Sequence, residues 1–181
     1  MKSFFSQLYI DLSDHLKKEI PDLKWIDQDF GQLEVFEYRA PVTFPCVLID
    51  FTAAQYDNMS LRAQKAIVSV TLRLGFAPFS QTYQAAPLDV KEKALEYYDV
   101  EQAVYKALQG WQASGPEGYY CEPFMRISSQ TEQRVSASGT QDASGLRVRI
   151  ITFNTGYDDL SAVPVARKVT ASLEITPEIN D

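Results

Sequence analysis

The chain has 181 residues, 45% hydrophobic, 23% charged and 12% aromatic, a globular balance long enough to bury a core without metal or disulfide. Its 24 acids against 17 bases give a formal net charge of −7, which disfavours non-specific attachment to nucleic acid or an anionic membrane. No apolar run approaches the ~20 residues that span a bilayer. The opening Met-Lys-Ser-Phe-Phe is interrupted by Gln7, Asp11 and Asp14 with no small-residue cleavage site, so a soluble protein made in the cytoplasm and not secreted is expected.

Residues 3–19 read as a helix with Phe5, Leu8, Tyr9, Leu12 and Leu16 on one stripe, closed by Pro21, which disfavours helix at Ile20. His15, the sole histidine, lies beside that stripe without a metal-ligand companion and reads as a surface or half-buried side chain. Leu23 and Trp25, then Val35 and Phe36, flank Asp-Gln-Asp-Phe-Gly-Gln, which predicts two short strands around a bend with Gly31 at positive φ. Asp27 and Asp29 with Gly31 look like the start of a calcium loop. That loop needs glycine at its sixth position and glutamate at its twelfth; here they are Gln32 and Tyr38, so no calcium site is expected.

Residues 42–51 are nearly continuously apolar and predict a strand covered on both faces, with Pro45 near its start; 52–64 read as polar turn. Residues 66–76 alternate, with Val68, Val70, Leu72, Leu74 and Phe76 against Ser69, Thr71 and Arg73, as in a half-buried antiparallel strand. After a loop at 78–87, residues 88–98 read as helix and lead to the clearest helical stripe of the chain. That stripe is Val100, Ala103, Val104, Ala107, Leu108 and Trp111, with Asp99 as N-cap, Gln102 in the capping-box position, and Gly115 and Pro116 marking the stop.

Residues 119–135 predict a strand with Pro123 as a bulge or entry point, and 136–145, small and polar throughout, a flexible hairpin tip or disordered loop. Leu146, Val148 and Ile150 then alternate with Arg147, Arg149 and Ile151, and Phe153 extends the second set. A last alternation, Val165, Val169, Ala171, Leu173 and Ile175 against Lys168, Thr170, Ser172 and Glu174, predicts a C-terminal strand with Arg167 on its apolar side. Cys46 and Cys121, each inside an apolar run, are expected to be buried free thiols.

The order helix, strands, helices, strands predicts an α+β fold: a mainly antiparallel β-sheet with helices packed on one face. Residues 1–159 form the expected single domain, and 160–181 a strand extension of it. The expected core unites Leu8, Leu12, Leu48, Val70, Leu72, Val104, Leu108, Trp111, Val148 and Ile150.

Sequence motifs for chemistry are few. There is no phosphate-cradling glycine loop, no Cys-x-x-Cys or His-Glu-x-x-His, and no Gly-x-Ser-x-Gly elbow; the acidic pair Asp158-Asp159 points apart as neighbours do and reads as a solvated turn. Arg147 and Arg149 share a strand face, and Arg126 and Arg134 can approach across the hairpin. That face is either solvated with scattered ion pairs or a basic stripe meeting an acidic surface of a neighbouring subunit.

The residue order carries a resemblance. An N-terminal helix precedes a strand around Phe-Pro-Cys-Val-Leu-Ile-Asp-Phe (44–51) and the alternating strand at 66–76. Then come the helix ending Ala-Leu-Gln-Gly-Trp (107–111) and a hairpin whose last strand is Leu-Arg-Val-Arg-Ile-Ile-Thr-Phe-Asn-Thr-Gly-Tyr-Asp-Asp (146–159). Over residues 3–159 this resembles the tail-terminator (tail-completion, neck) proteins of long-tailed phages and prophages. The resemblance implies an α+β subunit that assembles as a ring, commonly a hexamer, on the tail tube, and that contacts other tail or head-connector proteins. It implies a place in the virion, or in the bacterial cytoplasm during assembly. It carries across no catalytic residues, and no cofactor, metal, small-molecule substrate, membrane or specific nucleic acid is expected. The other reading is a small non-enzymatic binding or adaptor domain unrelated to phage. The expected subunit interface comprises Arg126, Arg147, Arg149, Val165, Val169 and Leu173. The C-terminal strand has two homes, the edge of its own sheet or the sheet of the next subunit. From sequence its own sheet is favoured, because intramolecular pairing forfeits no translational entropy.

Overall fold

A computed structural model describes residues 3–34, 42–77, 82–132 and 146–164. Helix α1 (Phe4–Glu19) starts at Ser3, whose hydroxyl accepts from the Ser6 N–H, and ends at Ile20; its i, i+4 series Leu8, Leu12 and Leu16 is fully buried. Strand β1 (Trp25–Gln28) pairs in parallel with β2 (Cys46–Asn58), which pairs antiparallel with β3 (Gln64–Phe76). Helix α2 (Leu88–Leu108) follows. A small ribbon of β4 (Ser114–Gly115) and β5 (Gly118–Tyr119) comes next, then β6 (Met125–Thr131) and β7 (Arg147–Asp159). The main sheet has the order β1-β2-β3-β7-β6, antiparallel except for its first pair. The fold is therefore α+β, as expected, with both helices contributing to the core on one sheet face.

That core gathers Leu8, Leu12 and Leu16 of α1, Val104 and Leu108 of α2, and the inward residues of β2, β3 and β7. β3 supplies its unbroken alternation from Ala66 to Leu74. β7 supplies Ile151 and Phe153, so the set that begins with Arg147 and Arg149 faces the helices. The alternate set lies on the opposite face. There Val148 is buried with Leu33, Cys46 and Leu48 in a second, smaller cluster, and Ile150 is only half-buried. Trp111 also packs half-buried at the rim of the main core. The other expected core residues are buried. Gly75 explains itself here: a Cβ at this position would meet the Cys46 Sγ at 2.6 Å, so β2 and β3 close over the second cluster only without one. Both thiols are free and buried, and burial pushes Cys46 up to about 11.

Several boundaries differ from the sequence reading. Residues 52–58 are strand, not turn; the turn is confined to 59–63, where the N–H groups of Met59 and Ser60 both donate to the Ala63 carbonyl. The physical cause is a bulge between Phe51 and Ala53. It moves the inward positions from Val47, Ile49 and Phe51 to Ala54 and Tyr56, and this breaks the period-two pattern by which a strand is read. Asp99 and Gln102 are not a helix start but lie inside α2, a single helix that begins after Pro87. Nor do Gly115 and Pro116 stop it: the helix ends at Leu108, and Gly110, at φ 80°, turns the chain so that its N–H reaches the Phe124 carbonyl at 2.8 Å. Gly31 adopts φ 75°, as its place in the bend requires. The strand expected around Val35 and Phe36, the loop at 136–145, Arg134 and the strand at 165–175 lie outside the described residues.

Candidate assembly surface

The three expected interface arginines all meet residues of α2, Arg147 and Arg149 half-buried and Arg126 exposed. Arg149 makes a two-pronged pair with Glu101, Nε to Oε2 at 2.6 Å and Nη2 to Oε1 at 2.9 Å, with the side chains only 14% and 11% exposed. Its remaining N–H groups donate to Thr131 Oγ1 at 2.7 Å and Ser129 Oγ at 2.9 Å, and the Ser129 hydroxyl donates to Glu101. Arg147 lies over the Tyr97 ring at 5.0 Å and Arg126 over Tyr105 at 3.8 Å. These guanidinium groups fasten α2 to the β6–β7 corner of its own subunit. Val165, Val169 and Leu173 lie outside the described residues.

Glu101 has no counterpart in the sequence reading because a glutamate on a helix reads as solvent-facing. Burial acts to raise its pKa, but the hydrogen bonds from Arg149 and Ser129 outweigh it and hold the carboxyl below the usual range. A depressed folded-state pKa stabilises above the unfolded value, near 4.3 for glutamate, and the contribution is lost as pH falls through the folded value. The thermal midpoint of the protein is therefore expected to fall in acid more steeply than that of Glu101→Gln, whose amide does not titrate. Parallel pH profiles for the two would contradict the pair's role.

On the opposite face Arg73 gathers a second cluster. It grips Glu132 through Nε and Nη2, both at 2.8 Å, and its Nη1 lies 2.9 Å from both Asp29 Oδ2 and Glu34 Oε1. Arg73 thereby links the bend after β1 to the end of β6. Beyond it the open sheet face is lined with small polar groups: Thr52 Oγ1 lies 3.0 Å from Thr71 Oγ1, and Ser69 donates to Asn154 at 3.0 Å.

His15 is structural. Its Nε2 is 2.8 Å from the Ala107 carbonyl and its ring stacks on Trp111 at 4.6 Å, joining the two helices. Tyr120 donates to Asp11 at 2.5 Å and is pushed up by burial and that carboxylate. The hydroxyl–carboxylate contacts of Tyr120 with Asp11 and of Ser129 with Glu101 each join separate elements, and among the described residues no group of three or more His, Cys, Asp or Glu side chains is arranged to hold a metal.

The surface instead offers contact. Met59, Leu61, Leu160 and Val163 are exposed at the β2–β3 hairpin end of the sheet, Leu61 completely. Beyond Ile49, where the β1 pairing stops, β2 presents an edge without a partner strand among the described residues. No helix is long and apolar enough to cross a membrane among the described residues.

No protein-family model matches the sequence, and no curated protein matches it. Among solved structures, the chain is similar in fold to a chain of the "Virion of native gene transfer agent (GTA) particle". The match has 10% identity and a TM-score of 0.49, and it covers 87% of this chain and 99% of that one. A likeness at that level leaves function to be argued from this chain's own residues.

Proposed function

We propose that the protein is a structural subunit of a phage or prophage tail, of the tail-terminator kind, which forms a ring and performs no catalysis. The observation that carries this reading is the combination, on one subunit, of a β2 edge unpaired among the described residues and an exposed apolar hairpin end. Exposed apolar side chains and free strand edges are aggregation hazards unless a partner covers them. A repeated head-to-tail contact supplies such a partner, and it closes into a ring if the rotation between subunits permits. The element order that resembles tail terminators names the setting, and the charge of −7 suits a conduit through which DNA slides without sticking. The arginine cluster then serves indirectly, by holding α2 in place rather than by meeting a neighbour.

The reading is tested by antibody labelling of tail-like particles purified from cells that make the protein. Label at the head-proximal end of the tail is expected. Intact tails without label, with the protein recovered only in the soluble fraction, would favour an adaptor unrelated to phage.

A further inference from the structure

The open edge of β2 is more than unpaired backbone. Along residues 50–58 the helix-side layer is unfinished: Phe51 and Ala54 are half-buried rim members of the core, and Tyr56 is 43% exposed. The other side of the same edge is polar, with Asp50, Gln55 and Asp57 exposed. An added strand therefore needs one apolar and one polar side. The outer edge of β6 is polar on its helix side, at Arg126, Ser129 and Thr131, and its exposed apolar residues, Met125 and Ile127, are confined to one end and interrupted by a bulge.

One segment of this chain has that pattern. From 165 to 175 the apolar set Val165, Val169, Ala171, Leu173 and Ile175, interrupted once by Arg167, alternates with Lys168, Thr170, Ser172 and Glu174. We propose that this segment of one copy adds as a strand to the β2 edge of a second copy, with its apolar side over Phe51 and Ala54 and Lys168 on the side of Asp50 and Asp57.

The connection decides between own edge and neighbour. β7 ends at Asp159, opposite Gln64, at the hairpin end of the sheet. From there β2 lies two strand spacings away, and a strand added to its outer edge would lie three away, roughly 14 Å at about 4.8 Å each. The chain does not set out across that gap: Leu160 to Val163 fold into a tight turn, the Val163 N–H donating to the Leu160 carbonyl at 2.9 Å. A return over β3 and β2 to lie beside the first strand of the set is the Greek-key connection, which is made by a long loop. Here the alternation resumes at Val165, directly after the turn and Pro164, so an own-edge crossing would consume the strand itself. The geometry outweighs the translational entropy that favours the intramolecular home. Strand addition of this kind gains affinity from main-chain hydrogen bonds and specificity from alternate side chains.

The inference rests on the assembly reading above and is tested on the full chain. Gln55→Cys and Thr170→Cys are made as separate proteins, with neighbouring positions 168 and 172 covering the register. Burial keeps both native thiols above their ordinary range, so they stay silent. Mixed under mild oxidation, the two single variants are expected to give a covalent pair made of one chain of each, suppressed by a synthetic peptide of residues 165–175. Adding Ala54→Lys to the Gln55→Cys chain, which puts a charge on the apolar side of the edge, should cut that product by roughly tenfold. A double variant that cross-links only within one chain, or no cross-link at any of the three positions, overturns the proposal. Mixed-chain product from open chains rather than rings keeps the strand and defeats the ring; closed rings without mixed-chain product do the reverse.

Discussion

Truncating Leu108 to alanine is expected to destabilise the protein by about 2–5 kcal/mol, the range for removing a buried leucine whose surroundings relax only partly. Leu108 is fully buried at the last turn of α2, in the cluster that also holds Leu12 and Leu16 of α1 and Val70, Leu72 and Phe153 of the sheet. Directly after it Gly110 turns the chain, and Phe124, also fully buried, returns against Trp111. The cavity would open where both helices and the sheet meet, so α2 cannot shift to fill it without dragging the returning segment. Urea unfolding measures the loss. A change below about 0.5 kcal/mol, the size of an ordinary surface substitution, would remove Leu108 from the core and with it the placement of α2 on the sheet.

Leu108 was legible because α1, β3 and the second half of α2 each keep one uninterrupted period. Where a period is interrupted, the sequence misleads. The bulge after Phe51 hides the second half of β2. Asp99 has the chemistry of a helix start, yet the helix runs through it, because Ala94, Glu101, Val104 and Leu108 already form a buried face from the first half onward. On β7 the more continuous apolar set, Val148 and Ile150, lies away from the main core. The set carrying two arginines faces it, because Glu101, Tyr97 and Tyr98 on α2 supply the partners that make those charges tolerable there. A partner from a remote element leaves no trace in local periodicity. The same reason hid Glu101 and the Arg73 cluster.

Replacing Arg73 by methionine is expected to cost roughly 3 kcal/mol, the lower end of the range for removing one member of a buried charge pair. The guanidinium is 11% exposed, and its partners Asp29 and Glu132 are 12% and 20% exposed, so carboxylates would be left facing one another with little water. Methionine keeps most of the side-chain volume, which confines the loss to charge and hydrogen bonding. Arg73→Lys should recover only part of it, since a point charge cannot reproduce the fork that grips both Glu132 oxygens while facing Asp29 and Glu34. If Arg73→Met unfolds within about 0.5 kcal/mol of the parent protein, the cluster is a surface ornament and does not hold the bend after β1 against the sheet.

Both substitutions act within one subunit, whereas the account turns on what the subunit does with its open edge and apolar hairpin end. The most direct measurement is the mass of the purified full-length protein across its soluble concentration range, by sedimentation velocity with electron microscopy of the same samples. The account predicts that monomers give way, as concentration rises, to one discrete species of fixed subunit number that appears as closed rings. A protein that stays monomeric up to its solubility limit, or that grows without a preferred size, would contradict it.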